Sequence, residues 1–171
     1  MGNASPSVIF RESVSELLGY LDAIDQSITG WMNAHGLRIL RYSLGVIFIW
    51  FGLLKPFGLS PIADVIANVV YLVPPSLFIP ILGWWEVAIG ICLLYRPLIR
   101  LGILLLFIQI PGTFLPLVLL PGVTWTVFPI APTVEGQYII KNLVLIGAAV
   151  VVGGSVRDED DVPVFLRSIF E

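Results

Sequence analysis

Four stretches of this chain approach the roughly 20 apolar residues that a helix needs to cross a bilayer. They run Leu37–Phe57, Leu77–Tyr95, Leu98–Leu120 and Tyr138–Val156. Composition agrees with that reading: 57% of the 171 residues are hydrophobic and only 12% are charged. The mean hydropathy is +0.96. A soluble domain carries about a quarter charged residues, and a core small enough for this length cannot hide so much apolar surface from water. The expected fold is an all-α membrane protein: an antiparallel four-helix transmembrane bundle, with an amphipathic N-terminal helix and a short outer interfacial helix.

The charges sort to the ends. Of 21 charged residues, only nine lie between Arg38 and Val156. The rest sit in the two tails, which set the pI near 5.0. The chain has no basic footprint for nucleic acid. The first 30 residues lack a basic-then-apolar signal peptide, so the N-terminus is expected to be retained. The single cysteine, Cys92, forbids an internal disulfide framework or a Cys-x-x-Cys motif. His35 is the single histidine. A bis-histidine haem is therefore excluded, and no metal site is expected.

Organisation follows as residues 1–36 (N-terminal cytoplasmic or interfacial segment), 37–156 (four-span domain) and 157–171 (acidic cytoplasmic tail). The joint "YRPLIR" between spans two and three is short, so those helices should be antiparallel neighbours; Pro97 suits the first turn of the new helix. Span three carries Pro111 and Pro116, where a kink is expected. Arg38 and Arg41, Arg96 and Arg100, and Arg157 all fall on one side after four crossings. The positive-inside rule puts both termini in the cytoplasm, with the protein in the inner or plasma membrane.

Two longer segments face the other side. In "LSPIADVIANVVYLVPPS", Ser60 as N-cap, Pro61 at the first helical position and Asp64 in the first turn predict a helix of about 13 residues, too short to span. In "PGVTWTVFPIAPTVEGQ" the prolines forbid a long helix, and Trp125 and Phe128 suit the interface or a lid. At the N-terminus, Val14, Leu17, Leu18, Leu21, Ile24, Ile28 and Trp31 share one helical face, with Glu16, Asp22 and Asp25 off it. The acidic polar side is repelled by anionic lipid, so this helix is read as lying along the cytoplasmic surface or docking on a protein partner.

The residue that demands explanation is Glu86, alone in "ILGWWEVAIGICLLY". Gly83 and Gly90 share its helical face, and small residues mark close helix packing in membranes. The pattern recurs. Span one aligns Gly45, Phe48, Gly52 and Lys55; span three Gly102, Leu105, Gln109 and Gly112; span four Lys141, Leu145 and Ala148. From the helical rise, Lys55 and Lys141 lie roughly 5 Å in from the outer side, and Glu86 and Gln109 roughly 13–16 Å. Lysine stems are long enough for both ammoniums to reach one carboxylate. The candidate site is therefore a polar pocket of Lys55, Glu86, Gln109 and Lys141. Two lysines against one glutamate leave a positive charge, to be balanced by Glu135, by a ligand or by a neutral lysine.

Blander readings stand beside this one. Either lysine can snorkel outward, the charged groups can form a structural clasp without a ligand, and Gln109 can cap carbonyls freed by Pro111. Trp84 and Trp85 are read as packing residues, and Asp158 to Asp161 as a solvated tail.

These residues resemble a known family. "RYSLGVIFIWFGLLKPFG", "GWWEVAIGICLLYRPLIRLG" and "EGQYIIKNLVLIGAAVVV" are similar to the first, second and last helices of DoxX/DoxD-like membrane proteins, and equally of the YkgB-related branch. The resemblance covers about residues 38–156 and implies a four-helix bundle. It places Lys55, Glu86 and Lys141 at the family's polar positions, while Gln109 comes from helical phase alone. Relatives include a membrane subunit of a thiosulfate:quinone oxidoreductase, partners in thiol-stress complexes, a surfeit-locus cargo receptor and a receptor-assembly chaperone. The implied function is a redox-associated subunit binding a quinone or similar small molecule, with no redox centre of its own. The alternative is a non-enzymatic scaffold, assembly factor or small-solute carrier, with a protein partner on the long N-terminal helix and room for self-association.

Overall fold

The computed structural model describes the backbone of residues 6–156 and the side chains of residues 16–156. The acidic tail expected over residues 157–171 lies outside the described residues. The chain forms two compact units, Met1–Ile39 and Leu40–Glu171, and the described part is mostly helical.

Helix α1 runs Pro6–Leu54 without interruption. Gly30 and Gly36 each lower helix propensity by only about 1 kcal/mol, and no proline falls between Pro6 and Leu54 to remove a backbone bond. In the first unit the apolar residues Leu17, Leu21, Ile28 and Trp31 are exposed. The polar contacts there are local: Gln26 Nε2 donates to Asp22 at 2.9 Å, and the His35 ring stacks on Trp31 with centroids 5.1 Å apart.

The second unit begins with the last part of α1. Pro56 follows its end, and Gly58 turns the chain at φ +70°, a region open to glycine. The Leu59 N–H returns to the Leu54 carbonyl at 2.8 Å. Helix α2 is only Ala63–Ala67, shorter than the 13 residues expected. Ser60 does not cap it by its side chain; the residue before the helix is Ile62. Asn68 ends it, its backbone and side-chain N–H groups both donating to the Asp64 carbonyl. Beyond lie Val69 and Val70, weak helix formers, and then Pro74 and Pro75.

Helix α3, Pro75–Leu94, takes Pro75 at its first position and carries Pro80 inside. A single 3-10 turn, Arg96–Leu98, joins it to α4, Ile99–Phe114. Pro97 sits in that turn, the first of the spanning segment Arg96–Leu119, as expected. Helix α4 holds Pro111 and gives way at Pro116 to the short α5, Pro116–Leu119, followed by α6, Pro121–Thr124. The segment expected to avoid long helix does so. It forms a two-stranded antiparallel hairpin, β1 Trp125–Val127 with β2 Ala131–Pro132. Trp125 is tied back to the Leu117 carbonyl by a 3.0 Å hydrogen bond, whereas Phe128 is exposed. Helices α7, Val134–Ile140, and α8, Asn142–Gly154, complete the unit. Thr133 caps α7: its hydroxyl oxygen accepts from the Gly136 N–H at 3.2 Å and its O–H donates to the Val123 carbonyl at 2.7 Å.

Four segments are long and apolar enough to cross a membrane: Glu16–Leu54, Pro75–Leu94, Arg96–Leu119 and Val134–Gly154. The core of the second unit is Leu44, Ile89, Leu93, Ile99, Leu106, Ala149 and Val152, drawn from all four. Much of the remaining apolar surface, including Trp50, Trp84 and Val144, is exposed, as helices facing lipid require.

Glycines bring α1 and α3 together. A Cβ on Gly52 would stand 2.7 Å from the Gly83 carbonyl oxygen, and one on Gly83 2.6 Å from the Gly52 oxygen. The pair Gly45 and Gly90 meets in the same way. Backbones this close gain dispersion contacts that larger side chains would prevent. The two contacts lie on either side of Glu86 and fix the face of α3 that carries it.

Candidate functional site

Glu86 lies one helical turn past Gly83 on α3, so the close α1–α3 packing aims its carboxylate at the end of α1. Lys55, the residue after the last of α1, answers it. Lys55 is 6% exposed and Glu86 9%, and they form an ion pair between Nζ and Oε2. The other carboxylate oxygen, Oε1, accepts from Gln109 Nε2 of α4 at 2.8 Å. Three helices thus meet at one carboxylate.

This arrangement follows from cost. An isolated charge at the centre of a spanning helix costs at least about 2.5–3.5 kcal/mol on insertion scales. Burial is tolerable when each oxygen has a partner. Glu86 has a cation on one oxygen and an amide donor on the other. The Gln109 orientation is also determined. Glu86 as a carboxylate only accepts, so Nε2 must face it and the amide oxygen must face away. That oxygen is buried without a hydrogen-bond partner. Gln109 therefore does not use its side chain to cap the backbone near Pro111; the Thr113 hydroxyl donates to the Gln109 carbonyl instead, at 3.3 Å.

The triad stands in the wall of a cavity of about 430 Å3. Its lining is mostly apolar, with Phe48 and Phe51 from α1, Val65 and Ile66 from α2, Phe78 and Trp85 from α3, and Leu106 from α4. Trp85 is held in place by its indole N–H, which donates to the Leu105 carbonyl at 3.3 Å. Trp84, its neighbour, is exposed. A volume of this size matches the few hundred Å3 of small-molecule sites, as does an apolar wall with a few polar groups.

Lys55, Glu86 and Gln109 are brought together as the sequence pattern suggested. Lys141 is not. It is exposed, its ammonium lies 5.2 Å from the centre of the Tyr138 ring, and it does not line the cavity. Tyr138, Asn142 and Leu145 represent the fourth span there. The reason is local. Helices α7 and α8 meet at Lys141, and the Val144 N–H bonds to the Lys141 carbonyl three residues back. Tyr138, Asn142 and Leu145 turn inward; Leu145 keeps the phase expected from Lys141, but Asn142 rather than Lys141 faces the cavity. Their steps of four and three were the available signal, and the stronger charge of Lys141 obscured it. The surplus positive charge expected in the pocket is accordingly absent from its lining, and Glu135 is not needed to balance it.

Among the described residues, no group of three metal-ligating side chains gathers. The fold and site thus describe a helical protein with four potential membrane spans and a cavity walled by a charge-balanced polar triad. Compared with protein-family models, curated proteins and solved structures, the chain matches none.

Proposed function

We propose that this is a DoxX-like inner-membrane or plasma-membrane protein whose four spans form an antiparallel bundle around a pocket for a neutral, quinone-like small molecule. It serves as a redox-associated subunit with both termini in the cytoplasm. The observation that carries the reading is the Lys55–Glu86–Gln109 triad in the wall of an otherwise apolar cavity of about 430 Å3. An apolar ring system fits the walls, and its polar edge finds donors and acceptors at one place. Because Lys55 and Glu86 cancel in charge, the favoured ligand is neutral rather than anionic.

In that role a quinone supplies the two-electron chemistry. Electrons reach it from a partner subunit or directly from a substrate. Lys55 donates to Glu86 and, at 3.5 Å, to the Phe51 carbonyl, and its third N–H is left to orient a carbonyl oxygen. Glu86 is the carboxylate placed to accept or return a proton at that oxygen. Orientation in the membrane rests on the arginines: Arg41, Arg96 and Arg100, with Arg157 in sequence, belong to one side of a four-span topology.

The test is chemical. The protein is purified from membranes, and bound lipids are extracted from wild type, Glu86→Gln and Lys55→Met. The expected result is quinone in wild type and several-fold less in both variants. Absence of quinone from all three, or equal recovery from all, ends the quinone reading. The triad is then a structural clasp within a scaffold or carrier.

A further inference from the structure

The first unit carries an apolar seam unused by the cavity. Leu17, Leu21, Ile24, Ile28 and Trp31 are spaced by four, three, four and three residues, and are 41–59% exposed. A mean step of 3.5 residues is that of a helix that winds around another helix. We propose that this segment pairs with the same segment of a second copy as a parallel two-stranded coiled coil.

Charge selects the second copy over the lipid surface. Residues 12–37 hold four acidic residues and no lysine or arginine, so an anionic leaflet repels the helix. With Leu21 and Ile28 at the a positions and Leu17, Ile24 and Trp31 at d, Glu16 and Asp22 fall at outward positions c and b. Asp25 is the acidic residue on the flank, at e. In a parallel pair it faces the g position of the other helix, which is Tyr20, a hydroxyl donor to a carboxylate. No like charges meet. The glycines Gly19 and Gly30 fall at f and c, away from the seam. The parallel arrangement is the one that sets each Asp25 against the Tyr20 of the other helix.

Area is sufficient. The five seam residues, with Leu18 and Met32 on the flank at 60% and 58% exposure, offer on the order of 600–700 Å2, near the roughly 800 Å2 per partner of a specific interface.

The experiment uses the full chain in lipid vesicles, with Cys92→Ala as background. Single cysteines are placed in the seam (Leu21→Cys, Ile28→Cys) and at outward positions (Gln26→Cys, Asn33→Cys), and mild oxidation is followed by gel. Strong cross-linking in the seam and little outside it is expected. Ile24→Asp, an exposed site, should reduce the particle mass from dimer to monomer in nanodiscs while the helical signal persists. Equal cross-linking at seam and outward positions would mean random collision and overturn the proposal. Uncross-linked seam positions quenched by spin-labelled lipid would assign the face to the membrane. Seam positions neither cross-linked nor quenched would assign it elsewhere. Either result overturns the dimer.

Discussion

Breaking the Lys55–Glu86 pair from one side should cost far more than removing it whole. In Lys55→Met, Glu86 keeps Gln109 as a neighbour but loses the cation that balances it. In Glu86→Gln, the Lys55 ammonium is left without a counter-charge at a site only 6% exposed. An uncompensated buried charge of this kind destabilises by about 3–5 kcal/mol. For a chain of this length each kcal/mol moves the melting temperature by about 2–4 °C, so each single variant should melt roughly 6–20 °C lower. The double variant Lys55→Met/Glu86→Gln has no charge left to strand, and its new amide can still accept from Gln109. It should return to within about 1–2 kcal/mol of wild type, as replaced ion pairs often do. Cys92 is a built-in reporter: it is the single cysteine and it is buried, so a thiol-reactive fluorogenic dye reads unfolding directly. Singles that melt within about 2 °C of wild type, or a double variant as unstable as the sum of its parts, would refute the electrostatic account of this site.

Three further outcomes follow from the same geometry. Gly52→Ala puts a methyl 2.7 Å from the Gly83 carbonyl oxygen, where backbone must move, and should lower the melting temperature by several degrees; Gly112→Ala has nothing within 4 Å and should be neutral or slightly stabilising. Lys141→Ala should leave ligand recovery from purified protein at the wild-type level, because its ammonium lies over Tyr138 outside the cavity, whereas Asn142→Leu should reduce it. Thr133→Ala removes the cap of α7 and the bond to the Val123 carbonyl, and should cost about 1–2 kcal/mol in a thermal melt.

What could be read from the sequence was what repeats or what is costly. Runs of about 20 apolar residues located all four potential spans, because length and hydropathy are properties of the chain itself. Glu86 announced its partners because a buried charge cannot stand alone, and glycines three before and four after it marked the face. That was enough to bring Lys55 and Gln109 to it. Two kinds of detail were beyond it. Helix α2 is short because its ladder ends at Asn68, with Val69 and Val70 and then Pro74 and Pro75 beyond it. Lys141 missed the pocket: α7 and α8 join at that residue, its ammonium lies over Tyr138, and Tyr138 and Asn142 line the cavity beside the expected Leu145. Hydropathy and charge are local and accumulate along a chain, so they survive in one dimension. Helical phase does not. Adjacent helical residues point about 100° apart, and only the packed structure decides which of two neighbours, Lys141 or Asn142, faces the cavity.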